Sequence, residues 1–179
     1  KNKEFAAADK WRTIDFSRLL YKPETDKPLY WDRSEFTKVC GVKDEEIIKE
    51  VQKSIDEQEE TTLDFAIKNT DRAVGTMLSG VIAKKYGEAG LPDGTINIKF
   101  KGSAGQSFGA FAVKGLDLRL EGEANDYFGK GLSGGRISIL PPHATVLGGF
   151  VAEDNIIAGN TGLYGATSGE LYVNGQVGE

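Results

Sequence analysis

Two residue types that often carry chemistry occur once each in this sequence of 179 residues. His143 follows two prolines, and neither a carboxylate nor a nucleophile stands next to it. Cys40 has no histidine near it in sequence, so we interpret it as a small buried hydrophobic residue. A single cysteine excludes a disulfide framework and any multi-thiolate metal or iron–sulfur site built by this chain alone. A single histidine likewise excludes most histidine-based catalysis and zinc binding.

Three carboxylates stand close together in the sequence, at Glu121, Glu123 and Asp126. Such a group could act as a general acid or base, or could bind a cation. Alternating carboxylates are more often the solvent-facing side chains of a strand, and no nucleophile, base and oxyanion site come together around them. The sequence therefore predicts no catalytic residue and no metal ligand.

Residues 129–134 read Gly-Lys-Gly-Leu-Ser-Gly, which matches the dinucleotide-binding fingerprint as a string. That fingerprint requires a helix after the glycines, so that the pyrophosphate lies on the helix N-terminus. Here a strand-like run, Arg136 to Ile139, is followed by Pro141 and Pro142. We therefore interpret the motif as a structural turn and predict no cofactor site in this chain.

The composition narrows the classes of partner. The formal net charge is −5 and the isoelectric point is near 5.1, which argues against binding nucleic acid through phosphate contacts. No apolar run approaches the roughly 20 residues that span a bilayer, and the N-terminus is not a signal peptide. We therefore expect a cytoplasmic protein without a membrane partner. Because the sequence begins at Lys1 without an initiator methionine, we also expect a piece of a longer protein.

The N-terminal segment, 1–62, is charged and poor in glycine. An irregular aromatic segment comes first; its aromatic residues include Trp11, Phe16, Tyr30 and Trp31. A helix follows from Asp44, which can cap it, to Glu60. Its apolar stripe consists of Ile47, Ile48, Val51 and Ile55. Alternation at Leu63, Phe65 and Ile67 predicts a strand, and a second helix is expected at about 71–86.

The remainder, 63–179, is rich in glycine and repeats a Gly-x-x-Gly unit at a nearly constant interval. We predict structural turns at Gly102, Gly105, Gly131, Gly134, Gly159 and Gly162, and at the preceding asparagines Asn97, Asn125 and Asn155. Short strands separated by glycine turns at a fixed period are typical of a β-solenoid. The predicted fold class is therefore mostly β, a β-helix preceded by an α-helical and irregular segment.

Four strings in the sequence together resemble one family. They are Asn69-Thr70-Asp71-Arg72-Ala73-Val74-Gly75, Gly102-Ser103-Ala104-Gly105-Gln106-Ser107, Glu123-Ala124-Asn125-Asp126-Tyr127-Phe128-Gly129-Lys130-Gly131 and Leu163-Tyr164-Gly165-Ala166-Thr167. From about Leu63 to Glu179 the chain resembles the C-terminal, Gly-x-Gly-x-Gly domain of the glutamate synthase large (alpha) subunit. The resemblance implies a right-handed parallel β-helix that stops short of the family's C-terminal end. It also makes residues 1–62 look like the connector that leads into this domain.

The resemblance also implies a parent oxidoreductase that makes two glutamates from glutamine and 2-oxoglutarate. Its amidotransferase uses an N-terminal cysteine, and its synthase domain holds FMN and an iron–sulfur cluster. Cys40 matches neither role, so this fragment is expected to hold no cofactor and to be non-catalytic alone. The implied partners are the amidotransferase and FMN synthase domains, with a small NAD(P)H-oxidising subunit. The stretch 75–79 resembles the pyridine-nucleotide-dependent branch.

Two other functions are alternatives to this one. A free-standing β-helix subunit of another redox complex, such as a formylmethanofuran dehydrogenase-like subunit, would share the glycine repeat. A carbohydrate-cleaving β-helix would need paired carboxylates and a stripe of exposed aromatics along one groove, and the second half has no such stripe. A structural domain of glutamate synthase remains the leading expectation.

Overall fold

A computed structural model of the protein describes residues 21–22, 27–28 and 42–178. The chain divides into two units, residues 1–38 and residues 39–179. In the first unit, Tyr21–Lys22 (β1) pairs in antiparallel fashion with Lys27–Pro28 (β2). The four aromatic residues noted near the N-terminus and Cys40 lie outside the described residues.

Two helices of the second unit contribute apolar side chains to its core. They are α1 (Val42–Glu57) and α2 (Thr76–Tyr86). The predicted stripe on α1 is confirmed at Ile47, Val51 and Ile55, and α2 buries Leu78 and Ile82. Near their carboxyl ends the Tyr86 hydroxyl donates a hydrogen bond to the Ile55 carbonyl oxygen at 2.5 Å. Because α1 begins at Val42, Asp44 lies inside its first turn instead of capping it. Within the segment expected to be helical at about 71–86, the helix itself begins at Thr76.

The strands of the second unit are short and mostly parallel. They are β3 (Thr61–Ile67), β4 (Ile96–Ala104), β5 (Leu116–Ala124), β6 (Ser133–Leu140), β7 (Ile156–Ala158), β8 (Ser168–Val173) and β9 (Gln176–Val177). The order β3-β4-β5-β6-β8 forms one parallel row, and β7 pairs with β5 and β9. The strand predicted at Leu63 to Ile67 is confirmed as β3. A short helix, α3 (His143–Leu147), lies in the connection from β6 to β7.

Apolar side chains at matching register positions build the core along this row. Phe65, Phe100, Leu120, Ile139 and Val173 stand opposite one another in successive strands. The Phe100 ring is fully buried and meets the Phe108 ring edge to face, with the centroids 5.4 Å apart. Backbone hydrogen bonds thus fix the register, and side-chain burial supplies the main stabilising free energy.

The prediction of a right-handed parallel β-helix is wrong. The strands belong to a mostly parallel open sheet accompanied by helices, which is an α/β fold. Register partners are separated by unequal lengths of chain, since Ile98 pairs with Leu118, Leu118 with Ile137, and Ile137 with Leu171. The last of these steps is the longest, and it contains α3. The regular spacing of the glycine pairs therefore does not mark one strand per repeat.

The domain boundary expected after residue 62 stays a prediction. Among the described residues, none of the helices is both long and apolar enough to cross a membrane.

Candidate functional site

The three clustered carboxylates each have a neighbour in the fold. Glu121 lies 3.7 Å from Arg119, and Glu123 accepts a hydrogen bond from the Ser103 hydroxyl at 2.8 Å. Asp126 Oδ1 accepts the backbone N–H of Asn160 at 2.8 Å. Across residues 42–178 the structure brings together no group of three or more His, Cys, Asp or Glu side chains that could hold a metal ion. His143 is exposed at the start of α3.

The dinucleotide-like glycine string, 129–134, is followed by a strand. Its last two residues already belong to β6, which runs from Ser133 to Leu140. A pyrophosphate site of this kind needs the positive end of a helix dipole, and the chain continues here as a strand instead. The string is therefore a turn between β5 and β6.

The predicted turn residues separate into two groups. Gly102, Gly134 and Asn97 lie in strands β4 and β6, and Gly105, Gly131, Gly159 and Gly162 lie in connections. The asparagine amides bind backbone oxygens: Asn97 Nδ2 donates to Gly94 at 2.6 Å, Asn125 Nδ2 to Ala104 at 2.8 Å, and Asn155 Nδ2 to Val151 at 2.8 Å. Of these, the structure brings Gly105, Asn125, Gly131, Gly159 and Gly162 into adjacent turns.

Four connections stack on one another beside the strands, and we call them the turn ladder: residues 71–75, 105–111, 125–131 and 159–165. Backbone hydrogen bonds run from each turn to the next in both directions. The Ser107 N–H donates to the Asp126 carbonyl oxygen at 2.9 Å, and the Gly129 N–H donates back to the Phe108 carbonyl oxygen at 2.8 Å. The backbone order of the sheet therefore continues through its connections.

Backbone torsions repeat through the turn ladder at three register positions. The first holds Ala73, Ser107, Tyr127 and Thr161; the second holds Gly75, Gly109, Gly129 and Leu163; the third holds Phe111, Gly131 and Gly165. Every one of these residues has φ between 53° and 96°. A left-handed conformation costs a non-glycine residue about 1–2 kcal/mol. Bulky residues at three of these places are therefore unusual, and the alternating positive φ was not foreseen from the sequence.

Several of these turn residues expose apolar side chains. Phe111, Tyr127, Leu163 and Tyr164 form what we call the apolar patch, with exposed fractions of 49%, 40%, 38% and 63%. Beside Phe111 a groove of about 760 Å³ runs along α2, where Thr76, Gly80 and Ala83 line it. Large exposed apolar side chains that cluster commonly mark an interaction surface.

Asp44 is a buried polar residue whose partner could not be read from the sequence. It is 1% exposed, and its two carboxylate oxygens accept the backbone N–H groups of Gly75 and Met77, each at 2.6 Å. Burial raises the pKa of Asp44, while the N–H groups of Gly75, Met77 and Leu78 oppose that rise. Asp44 on α1 therefore caps the N-terminus of α2, where the first turn of the ladder ends.

An ion-paired row crosses the solvent side of the sheet. Arg136 on β6 lies between its register partners, Asp117 on β5 and Glu170 on β8. Its Nε atom is 2.6 Å from Glu170, and its Nη1 atom is 3.4 Å from Asp117. The hydrogen bond from Arg136 lowers the pKa of Glu170. Arg136 thereby bridges both carboxylates, and the row as a whole keeps a net negative charge.

The fold and the turn ladder together define an α/β domain whose parallel strands and stacked connections are joined by backbone hydrogen bonds. Residues 44–179 match the family described as GXGXG motif, and the chain belongs to that family.

Glutamate synthases carry this domain. The chain is 48% identical over 174 residues to the ferredoxin-dependent glutamate synthase 2 of Synechocystis sp., covering 95% of this chain and 11% of that protein. It is 44% identical over 178 residues to the glutamate synthase [NADPH] large chain of Bacillus subtilis, covering 97% of this chain and 11% of that protein. It is 42% identical over 174 residues to the glutamate synthase [NADH] of Schizosaccharomyces pombe, covering 96% of this chain and 8% of that protein. The chain thus spans about a tenth of the length of these relatives.

Proposed function

We propose that this chain is a structural, non-catalytic domain of a glutamate synthase large chain. The parent polypeptide would convert glutamine and 2-oxoglutarate into two glutamates in the cytoplasm. The observation that carries the proposal is the similarity of nearly the whole chain to one part of glutamate synthases. Relatives named for ferredoxin, NADPH and NADH are similarly identical to this chain. Their identities do not distinguish between these electron donors, so dependence on NAD(P)H stays a prediction.

The structural role has a physical basis in the turn ladder. Because backbone hydrogen bonds link the strands to one another and the turns of the ladder to one another, little of the sheet and of the turn ladder can bend independently. Such a stiff domain can hold an amidotransferase domain and an FMN synthase domain in a fixed relative position. Ammonia released at one site must then reach the other without loss to water, and an error of an ångström or two would open its route.

The parent's cofactors, FMN and an iron–sulfur cluster, are assigned in this proposal to the synthase domain and not to this chain. A small NAD(P)H-oxidising subunit would be a further partner of the parent.

The test is to read the gene outward from the codons of residues 1 and 179 and to assay the encoded protein. We expect a long reading frame with an N-terminal-cysteine amidotransferase, and formation of glutamate from glutamine and 2-oxoglutarate. The chain Lys1–Glu179 alone should show neither flavin fluorescence nor glutaminase activity. A short frame bounded by its own start and stop codons, or flavin retained by the purified chain, would contradict the proposal.

A further inference from the structure

We propose that the apolar patch of Phe111, Tyr127, Leu163 and Tyr164 is the surface through which this domain packs against another domain of the parent polypeptide, an inference that rests on the proposed function. The partner surface would be apolar at its centre and acidic at its rim.

Two members of the patch are seated on glycines of the neighbouring turn. A Cβ atom on Gly131 would lie 2.5 Å from the Phe111 ring, and one on Gly129 would lie 2.9 Å from the Leu163 side chain. The Phe111 N–H donates to the Lys130 carbonyl oxygen at 2.7 Å. The Gly-Lys-Gly string thus makes room for side chains from the turns on either side, so these side chains are held in place while still exposed.

The equivalent register positions show that the fold itself does not require these side chains. The third position is glycine at Gly131 and Gly165, yet it holds Phe111 in one turn. The second is glycine at Gly109 and Gly129, yet it holds Leu163 in another. Glycine adopts positive φ without strain, whereas phenylalanine and leucine do not. Strain that the fold could avoid commonly persists where a surface is used, and exposed apolar side chains gain stabilisation only when something covers them.

The length of the relatives and the charge at the patch indicate which partner covers it. In the two relatives that are 48% and 44% identical to this chain, the matching region is only 11% of the polypeptide. Most of each of those polypeptides is therefore available to cover the patch. Lys130 stands at the patch, with its Nζ atom 5.7 Å from the centroid of the Tyr127 ring. A protein interface with an apolar centre and a polar rim fits this arrangement, and the lysine favours an acidic group across it.

Hydroxyl-radical oxidation of tyrosine measures the coverage directly in the full-length polypeptide. The probe is the oxidation rate of Tyr164 in the native protein relative to the same protein in urea. If nothing covers Tyr164, 63% of the residue is exposed. Its oxidation rate in the native protein should then be within about twofold of its rate in urea. At the centre of an interface it should react at least about tenfold more slowly.

A double variant, Phe111→Asn with Leu163→Asn, removes apolar surface but keeps a residue that tolerates positive φ. Thr161→Asn is the matched control, since Thr161 has φ 59° in the same turn as Leu163 and is not part of the patch. In the full-length protein we expect the double variant to speed oxidation of Tyr164 several-fold and the control to leave it unchanged. Fast oxidation of Tyr164 in the unaltered protein, or full protection in the double variant, would overturn the inference.

Other occupants give different results. Protection that persists in the chain Lys1–Glu179 alone, or that grows with protein concentration, would assign the cover to this chain itself and contradict the inference. A full-length protein that makes glutamate while Tyr164 stays exposed would contradict only the docking surface. A protein with Tyr164 covered but without glutamate synthase activity would contradict only the proposed function.

Discussion

Equivalent positions in the strands carry similar side chains, whereas equivalent positions in the turn ladder differ widely. In the strands, Phe100, Leu120 and Ile139 are opposite one another and all are buried. In the turns, Leu163 takes the place that Gly109 and Gly129 hold elsewhere. Packing in a closed core penalises any change of volume, while a turn edge facing solvent leaves the side chain free for another use. The strands therefore specify the fold, and the turns can specify what the fold contacts.

The largest loss of stability should come from adding a side chain where two strands approach most closely. Gly122 on β5 is the register partner of Gly102 on β4, and a Cβ atom there would collide with the Gly102 carbonyl oxygen. Because backbone cannot move aside cheaply, Gly122→Ala should lower the free energy of unfolding by about 3 kcal/mol or more. Urea denaturation of the purified chain measures this change.

Gly80→Ala is the matched control for Gly122→Ala. A Cβ atom on Gly80 would meet nothing within 4 Å, and this glycine lies in the interior of α2. The control should therefore be more stable than the parent sequence by about 0.5–1 kcal/mol. If Gly122→Ala and Gly80→Ala changed the free energy of unfolding equally, close contact between strands would not be what makes Gly122 necessary.

An intermediate loss of folding stability is expected at Asp44, where α1 is bonded to the first turn of the ladder and to the start of α2. Asp44→Asn keeps one acceptor oxygen but sets an amide NH₂ group against a backbone N–H group of α2. Leaving a buried donor unpaired costs about 1–3 kcal/mol, so the free energy of unfolding should fall by that amount. Thermal or urea unfolding of both proteins at neutral pH provides the measurement.

The pH dependence of Asp44→Asn gives a second readout. Because burial raises the folded-state pKa of Asp44, its contribution to stability is largest below the unfolded pKa and is lost as pH rises through the folded pKa. Asp56 on the same helix is the control, since its hydrogen bond with Lys85 lowers its pKa and reverses the sign. The parent's advantage over Asp44→Asn should grow on acidification, and its advantage over Asp56→Asn should shrink. Parallel pH profiles for the two variants would refute this assignment.

The smallest effect should come from the exposed ion-paired row. Arg136→Gln removes the partner of Asp117 and Glu170 on a solvent-facing side of the sheet, where water and salt screen charges. We expect a slight loss of stability at low salt that disappears at high salt, measured by urea unfolding at two ionic strengths. A loss as large as that of Gly122→Ala would show that the solvent side, and not close backbone packing, determines stability.

Local periodicity was enough to predict two elements that bury one face and expose the other. The stripe of Ile47, Val51 and Ile55 and the alternation in β3 are of this kind, since one face of each must be buried. The fold class was not predictable from the glycine interval, because that interval mixes Gly102, which lies in a strand, with Gly131 and Gly159, which lie in connections.

The candidate surface was harder to foresee than the elements. Positive φ at Phe111 arises from backbone bonds to the next turn of the ladder, and no local pattern marks a phenylalanine for that conformation. In the same way, Asp44 reads as a cap for its own helix, and only tertiary packing brings it to the N-terminus of α2. Long-range contacts determine both the torsion of Phe111 and the hydrogen-bond partners of Asp44, and local sequence patterns do not encode such contacts.

On the proposed function, the apolar patch helps to hold the catalytic domains of the parent polypeptide in register. The most direct measurement is the ammonia released to solution per glutamine consumed by the full-length polypeptide, with and without Phe111→Asn plus Leu163→Asn. We predict almost no free ammonia from the unaltered protein and from the Thr161→Asn control, and a severalfold rise from the double variant with glutamine hydrolysis retained. Ammonia release that is the same in all three proteins would contradict the claim.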